Sequence, residues 1–182
     1  MKITNARVFE QSSKKLFGMA NISSLSGSSD KIRFDLGGDF ESDQRVEIAH
    51  QRASEVLTYI YDKKEIWIKI TLWSKKDEQE LESLLNKSDI IFQKETKGQK
   101  LIYLYFEQFE LSIVDPLIKA IIGFELGYDY GLNITCLYYN FEIPALTNIY
   151  DDRGMDIVII NEKSRTILKA KFENFLNTCK CP

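Results

Sequence analysis

The sequence predicts an α+β fold in which helices pack on a mixed, mostly antiparallel sheet. Short runs that alternate apolar and polar residues are typical of strands with one buried face. Some of these runs follow one another with only a turn between them, which favours antiparallel pairing. Longer segments carry apolar residues at helical spacing. We expect a single domain over residues 1–182, a length that suffices for one hydrophobic core.

The first 30 residues are expected to form an irregular segment ahead of the body of the fold, which spans residues 31–176. Small polar residues dominate positions 23–30 and favour a loop there. The body opens on a strand at residues 31–36. Its alternation places Ile32, Phe34 and Leu36 on one face and Arg33 and Asp35 on the other, so one face of this strand is polar.

A helix, a strand and a second helix come next. The helix is expected to begin at Ser42 or Asp43, since both are suitable capping residues, and its apolar stripe consists of Val46, Ala49, Ala53, Val56, Leu57 and Ile60. Residues 66–73 alternate aliphatic side chains with polar or aromatic ones, which indicates a strand with a decorated second face. Ser74 and Asp77 then resemble a capping box and start a short, charged helix.

The second half of the chain is expected to contain a hairpin, a helix, three strands and a last helix. The hairpin joins residues 90–95 to residues 101–109 through a glycine-containing turn. The third helix is expected to start with Asp115 as N-cap and Pro116 at the first helical position, and to end at Gly127. Its apolar residues cover most of its circumference, which implies burial on more than one side. The remaining elements are strands near residues 133–142, 146–150 and 156–161 and a helix over about residues 165–176.

Charge and composition argue against several classes of protein. The chain has 24 Lys and Arg against 27 Asp and Glu, and a net charge of -3 provides no basic surface for duplex nucleic acid. The N-terminus lacks the apolar stretch of a signal peptide, and no window approaches the roughly 18 apolar residues of a membrane span. We therefore expect a cytoplasmic protein whose cysteines, Cys136, Cys179 and Cys181, stay reduced.

Residues 150–156 form the densest polar and charged cluster of the chain and lie between two expected strands. Asp151 and Gly154 fit the first and fourth positions of a type I turn, with Gly154 in the left-handed conformation of a hairpin bulge. This turn does not account for Asp152, Arg153 and Asp156. A structural ion-pair network is the favoured interpretation of these three residues, and a ligand or metal site and a partner-binding epitope are the alternatives.

Residues of the first strand are candidates to join this cluster. Because Arg33 and Asp35 share a strand face, we expect Arg153 to be partly buried and paired with Asp35. If Asp35, Asp39, Asp152 and Asp156 converged, their oxygens would be suitable ligands for Mg²⁺ or Ca²⁺. The candidate binding residues are therefore Arg33, Asp35, Asp151, Asp152, Arg153 and Asp156.

No complete catalytic or cofactor motif accompanies the cluster. Residues 36–39 lack the third glycine and the lysine of a phosphate loop, and the acidic residues around them would repel phosphate. His50, the single histidine, is expected at the margin of the first predicted helix's apolar stripe, without a serine or cysteine nucleophile motif to accompany it. We expect no cofactor and assign no catalytic residue.

Four aromatic residues on two expected strands form a second candidate site. Trp67 and Trp73 belong to one strand, and Tyr103 and Tyr105 belong to another. Core packing beneath a helix is the favoured interpretation. A protein interface is the first alternative, and stacking against single-stranded nucleic acid is the second.

Three motifs give the chain a resemblance to a known family. They are IRFDLG at residues 32–37, DPLIKAI at residues 115–121 and YDDRGMD at residues 150–156. With these motifs, residues 31–176 resemble the bacterial domain of unknown function 3885 family, which more often has Glu at the position of Asp35. The resemblance implies a small bacterial cytoplasmic protein, and it implies no reaction, cofactor or catalytic residue.

Two classes of function are open at this point. The first is a binding module whose partner is another protein, for example an immunity or antitoxin-like protein that binds a toxin. The second is an enzyme or divalent-cation binder that uses the Asp151 to Asp156 cluster with Arg33 and Asp35. The sequence favours the first, because no motif positions groups for proton transfer or charge stabilisation.

Overall fold

The computed structural model describes residues 3–19, 24–25, 27–38, 40–85, 89–96 and 98–176. Within them, seven strands form one sheet: β1 (Ile32–Asp35), β2 (Ile66–Leu72), β3 (Ile90–Thr96), β4 (Gln99–Phe106), β5 (Ile134–Asn140), β6 (Ala145–Ile149) and β7 (Gly154–Ile159). Five α-helices lie in the same residues: α1 (Ala6–Phe17), α2 (Ser42–Tyr61), α3 (Lys75–Leu84), α4 (Leu111–Phe124) and α5 (Glu162–Lys171). The fold is α+β, as the sequence predicts.

The strands are arranged in the order β1-β7-β6-β5-β2-β4-β3, and all neighbouring strands are antiparallel. The predicted hairpin is present as β3 and β4. β1 lies at the edge of the sheet beside β7. The first and last strands of the described chain are therefore neighbours. In this pair Arg33 lies opposite Asp156, and Asp35 lies opposite Gly154. The sheet therefore brings the two polar segments of the sequence together.

The main core lies between one face of the sheet and helices α2, α4 and α5. Phe34, Ile68 and Met155 contribute to it from the strands, and Leu57, Ile118 and Leu168 contribute from the three helices. The predicted burial of α4 on more than one side is confirmed by Val114, Leu117, Ile118, Ala120, Ile121, Ile122 and Gly123, which are all buried. None of the helices in the described ranges is long and apolar enough to cross a membrane.

The expectation of an irregular N-terminal segment is wrong, because α1 is a capped helix. The Asn5 side chain accepts a hydrogen bond from the Val8 backbone N–H, and Gly18 ends the helix with φ 69°. Phe9 and Phe17 pack on the second face of the sheet, opposite the main core. The buried face of this helix includes Ser12 and Ser13 beside Phe9 and Phe17.

α2 begins at Ser42, one of the two predicted positions, but the predicted starts of α4 and α5 are late by five and by about three residues. α2 begins after Glu41 and α4 after Glu110, and neither N-cap side chain makes a capping hydrogen bond. A start of this kind has no sequence signature. Pro116 therefore lies inside α4 rather than at its first position. α5 begins earlier than expected because Asn161 accepts a hydrogen bond from the Ser164 N–H.

Two predicted caps are confirmed. Ser74 precedes α3, and its side chain accepts a hydrogen bond from the Asp77 N–H. Gly127 has φ 72° and follows the end of α4, where its N–H donates to the Phe124 carbonyl at 3.0 Å. The Tyr128 N–H donates to the Gly123 carbonyl at 3.1 Å, which completes a Schellman motif.

Candidate functional site

The loop between β6 and β7 is held against the start of the fold's body by backbone hydrogen bonds. The Leu36 N–H donates to the Arg153 carbonyl, and the Gly37 N–H donates to the Asp152 carbonyl, both at 2.9 Å. Gly37 also allows α2 to approach, because a Cβ at this position would lie 2.9 Å from Arg45 Cγ and 3.2 Å from Ala49 Cβ. These contacts place Arg45 beside the loop.

Asp156 is a buried carboxylate with two basic partners. Arg33 Nε donates to Asp156 Oδ1 at 2.9 Å, and Arg33 Nη2 donates to Oδ2 at 3.1 Å. Lys31 Nζ lies 3.2 Å from the same Oδ2. The hydrogen bond to Asp156 raises the pKa of Arg33 above its ordinary value. The antiparallel register of β1 and β7 fixes this bidentate pair, since it places the two residues opposite one another.

Asp151 and Asp152 are buried as well, and each pairs with a different arginine. Asp152 forms an ion pair with Arg45 of α2. Asp151 Oδ1 accepts from the backbone N–H groups of Arg153 at 2.7 Å and Gly154 at 3.2 Å, and Asp151 Oδ2 accepts from Arg153 Nε at 2.7 Å. All three carboxylates of this segment are therefore neutralised from within the fold.

The predicted pair of Arg153 with Asp35 is wrong. The Arg153 side chain is 62% exposed, and its salt bridge is to Asp151, two residues away. Asp35 lies opposite Gly154 in the β1–β7 register, and its backbone carbonyl accepts a hydrogen bond from Arg52 at 3.2 Å. The side chain of Asp151 therefore takes the role that the sequence assigned to Asp35.

The predicted left-handed conformation of Gly154 is also wrong. The positive-φ glycines of the described chain are Gly18, Gly98 and Gly127. A Cβ on Gly154 would instead lie 2.8 Å from Tyr150 Cζ and 3.0 Å from the Phe34 carbonyl oxygen. Glycine is needed here because the Tyr150 ring covers the backbone.

Of the four aspartates proposed as cation ligands, Asp152 and Asp156 do not converge. Asp156 lies on the sheet face that carries Arg33, whereas Asp152 pairs with α2, which packs on the other face. Asp39 lies outside the described residues, as do Cys179 and Cys181. Among the residues that are described, no group of three or more His, Cys, Asp and Glu side chains is placed to hold a metal ion. Cys136 is a buried free thiol whose pKa is raised by burial.

An exposed patch of arginine and tyrosine covers the buried carboxylates. The Arg33 guanidinium lies over the Tyr150 ring, 5.4 Å from its centroid. Arg33 is 41% exposed and Tyr150 is 37% exposed. Burial, with nearby Asp156, Asp151 and Asp35, raises the pKa of Tyr150 to about 12 against the opposing effect of Arg33, so the phenol is neutral near pH 7. We call Arg33, Asp35, Tyr150 and Arg153 the Arg33 surface; Tyr150 was not among the predicted site residues.

The four aromatic residues of the second candidate site do not share a surface. Trp67 and Tyr103 are buried beneath α1, where Phe9 contacts both rings edge-on at 5.7 and 5.0 Å. Tyr105 is half-buried against Trp67. Trp73 is 44% exposed and lies beyond the end of β2, where its Nε1–H donates to Thr135 Oγ1 at 3.2 Å. The geometry of Trp67 and Tyr103 matches the favoured interpretation, core packing beneath a helix.

His50 has a partner that the sequence did not reveal. Its Nε2 lies 2.6 Å from Asp115 Oδ1, and the other Asp115 oxygen lies 2.7 Å from Lys119 Nζ. Burial alone would raise the pKa of Asp115, but the hydrogen bonds from Lys119 and His50 lower it below its ordinary value. The pairing depends on α2 packing beside α4, and 65 residues separate the two partners. The early start of α4 also frees Asp115 from a capping role.

The chain matches one family of known proteins. The family is described as a domain of unknown function (DUF3885), and the match covers residues 21–180. No curated protein matches the chain, and no solved structure does.

Proposed function

We propose that this chain, which belongs to the DUF3885 family, acts by binding another protein through the Arg33 surface. The observation that carries this function is the division of charge at the site. The carboxylates of Asp151, Asp152 and Asp156 are buried and paired, whereas guanidinium and phenol groups are exposed above them. The acidic cluster thus supports a surface of arginine and tyrosine.

Arginine and tyrosine are the residue types that most often dominate the energy of protein interfaces. Here they are also held in place before a partner arrives. Arg33 is fixed by two hydrogen bonds to Asp156 and by the Tyr150 ring, and Arg153 is fixed by Asp151. Side chains that are already ordered lose less conformational entropy on binding, which supports a binding role for this surface.

The charges suggest the chemistry of the partner. Arg33 places positive charge over the Tyr150 ring, and Arg153 is an exposed cation of the same surface, although the chain as a whole carries a net charge of -3. A partner that presents acidic side chains around an apolar or aromatic residue would match this local surface. An immunity or antitoxin-like protein bound to a toxin is the specific form of this function that we infer.

Co-purification from the organism that makes the protein tests this function. Arg153→Ala and Tyr150→Ala remove exposed groups of the Arg33 surface. Arg7→Ala on α1 and Tyr130→Ala, after α4, remove exposed groups elsewhere and serve as controls. We expect one protein to be recovered at equal levels with the wild type and both controls. Its binding should weaken about thirtyfold with either surface variant, as the loss of about 2 kcal/mol at a hot spot requires.

Calorimetric titration with Mg²⁺, Mn²⁺ and Ca²⁺ provides the opposing test. Submillimolar cation binding that is lost on Asp152→Asn, together with no protein recovered above background, would contradict the binding function. That outcome would make the cluster a cation site, with Asp152 released from Arg45.

A further inference from the structure

A cleft runs along the outer side of α2, away from the Arg33 surface. It is shallow and open to solvent, with a volume of about 680 Å³. Tyr59, Leu111 and Phe172 form apolar walls that come from α2, from the start of α4 and from the end of α5. The cleft therefore forms where three helices meet, a common place for a ligand site in a helical layer.

Ser54 provides a polar group in the wall of this cleft. The residue is only 7% exposed, and its Oγ makes no hydrogen bond to any residue of the described chain. A buried hydroxyl without a partner is unfavourable, and most buried polar atoms in folded proteins are paired. A ligand in the cleft would supply the missing partner.

His50 lies one helical turn before Ser54 and lines the same cleft. Asp115 holds Nε2 of His50 at 2.6 Å and fixes the orientation of the ring. In a neutral imidazole with its proton on Nε2, Nδ1 is a hydrogen-bond acceptor. In this tautomer Nδ1 therefore accepts any hydrogen bond that a ligand donates to the imidazole.

Glu47 is an exposed carboxylate at the rim of the cleft, and the other charged groups around it are engaged with neighbours on the protein. Lys171 lies over the Tyr59 ring, with Nζ 5.1 Å from its centroid. Glu55 accepts a hydrogen bond from Gln51 at 2.9 Å. Asp115 is shared between His50 and Lys119. An uncharged ligand would leave these interactions intact.

From these observations we propose that the cleft binds a small, uncharged molecule with an apolar body and a hydroxyl or N–H group. The apolar body packs between Tyr59, Leu111 and Phe172, and the polar hydrogen is donated to His50 Nδ1, with Ser54 Oγ as a second partner. This site is independent of the Arg33 surface, so it goes beyond the proposed protein-binding function.

Nuclear magnetic resonance measures this site directly, because His50 is the single histidine of the chain. The imidazole ¹⁵N signals of labelled protein therefore report on His50 alone. The probes are phenol, which carries a hydroxyl donor, and anisole, in which a methyl group replaces that hydrogen. At pH 8, phenol is uncharged. We expect phenol to shift the Nδ1 signal to saturation, with a dissociation constant in the millimolar range that a ligand of this size allows, and anisole to bind at least fivefold more weakly.

Ser54→Ala removes the second polar partner and has Ser164→Ala, an exposed serine on α5, as its control. We expect the Ser54 variant to bind phenol about fivefold more weakly than the wild type and the control, in line with the loss of one hydrogen bond. A phenol shift that never saturates, or equal affinity for phenol and anisole, overturns the site. The comparison of phenol with anisole needs only the wild-type protein. It therefore tests the proposed site even if Ser54→Ala does not fold.

Discussion

Asp152 is a buried carboxylate, 1% exposed, that forms an ion pair with Arg45 of α2. Arg45→Met should therefore destabilise the fold by about 3 kcal/mol, because it leaves a buried carboxylate without a partner. The double variant Arg45→Met/Asp152→Asn should be more stable than the sum of the two single changes implies. Urea unfolding of the four proteins measures this difference, and simple additivity would show that the two side chains do not interact.

Gly154 is required by the Tyr150 ring and the Phe34 carbonyl rather than by its backbone conformation. We expect Gly154→Ala to cost about 1–3 kcal/mol through crowding, and part of this cost to disappear in a Tyr150→Ala background. Gly98 is the matched control, since it has φ 79° and no atom within 4 Å of the position that a Cβ would occupy. Gly98→Ala should cost about 1 kcal/mol in both backgrounds. An equal cost of Gly154→Ala in both backgrounds would contradict the role of Tyr150.

At the scale of residues, the sequence predicted which face of a strand a side chain lies on. It did not predict which charged side chains pair with one another. The alternation of β1 correctly placed Arg33 apart from Phe34, because side-chain direction in a strand follows from period two alone. The partner of Arg33 depends on the register between β1 and β7, which pairs residues 33 and 156 across most of the chain. The partner of Arg153 was also predicted wrongly. Its side chain donates a hydrogen bond to Asp151, two residues away, instead of pairing with the more distant Asp35.

At the scale of elements, α1 is an integral layer of the fold. Phe9 contacts Trp67, Tyr103, Tyr139 and Phe141, with ring centroids 4.8 to 5.7 Å away. Phe9→Ala should cost about 3–5 kcal/mol in urea unfolding because it leaves a cavity among these rings. Val8→Ala, on the half-buried side of the same helix, is the control and should cost much less. Equal, small effects of both variants would mean that α1 is only an appendage.

The elements themselves were mostly predictable, but the starts of α4 and α5 were not. The strands follow from alternation, and the start of α3 and the end of α4 follow from Ser74 and Gly127. α2 and α4 begin after glutamates that make no side-chain cap, so tertiary packing rather than local sequence sets their first residues. α1 was missed although Phe9, Ser12, Ser13 and Phe17 share one buried face at helical spacing.

At the scale of the whole molecule, one buried lysine should shape the dependence of stability on pH. Lys69 is 3% exposed on β2, and burial, with nearby Lys94, lowers its pKa to about 8 against the opposing effect of Glu10. Between pH 8 and the ordinary lysine value of 10.5, the unfolded chain binds more protons than the folded chain, so the free energy of unfolding should rise with pH.

At higher pH, the free energy of unfolding is expected to fall again. Burial raises the pKa values of Tyr61, Tyr138 and Tyr139 well above the ordinary 10.0, so the unfolded state loses these protons first. Stability should therefore peak at about pH 9–10. Denaturant unfolding from pH 7 to 11 measures the curve. In Lys69→Met, the increase in stability above pH 8 should vanish, and the decrease at higher pH should remain. An increase that persists in this variant would exclude Lys69 as its cause.

The order of the strands in the sheet could not be predicted from the sequence pattern. Alternation indicated strands and short turns indicated antiparallel neighbours, which is why the fold class was predictable. The position of β1 beside β7 depends on contacts between distant segments, and this neighbourhood creates the Arg33 surface. The pairing of His50 with Asp115 depends in the same way on α2 packing beside α4.

The Arg33 surface as a protein interface is tested most directly by photo-crosslinking in living cells. Replacing Tyr150 with p-benzoylphenylalanine places a crosslinker at the centre of this surface, and the same replacement at Tyr59 places one on a different, similarly exposed face. A protein that crosslinks through position 150 and not through position 59, and that is lost when Arg153→Ala is added, is the result we predict. Equal crosslinking at both positions, or none at position 150, would contradict a protein interface at the Arg33 surface.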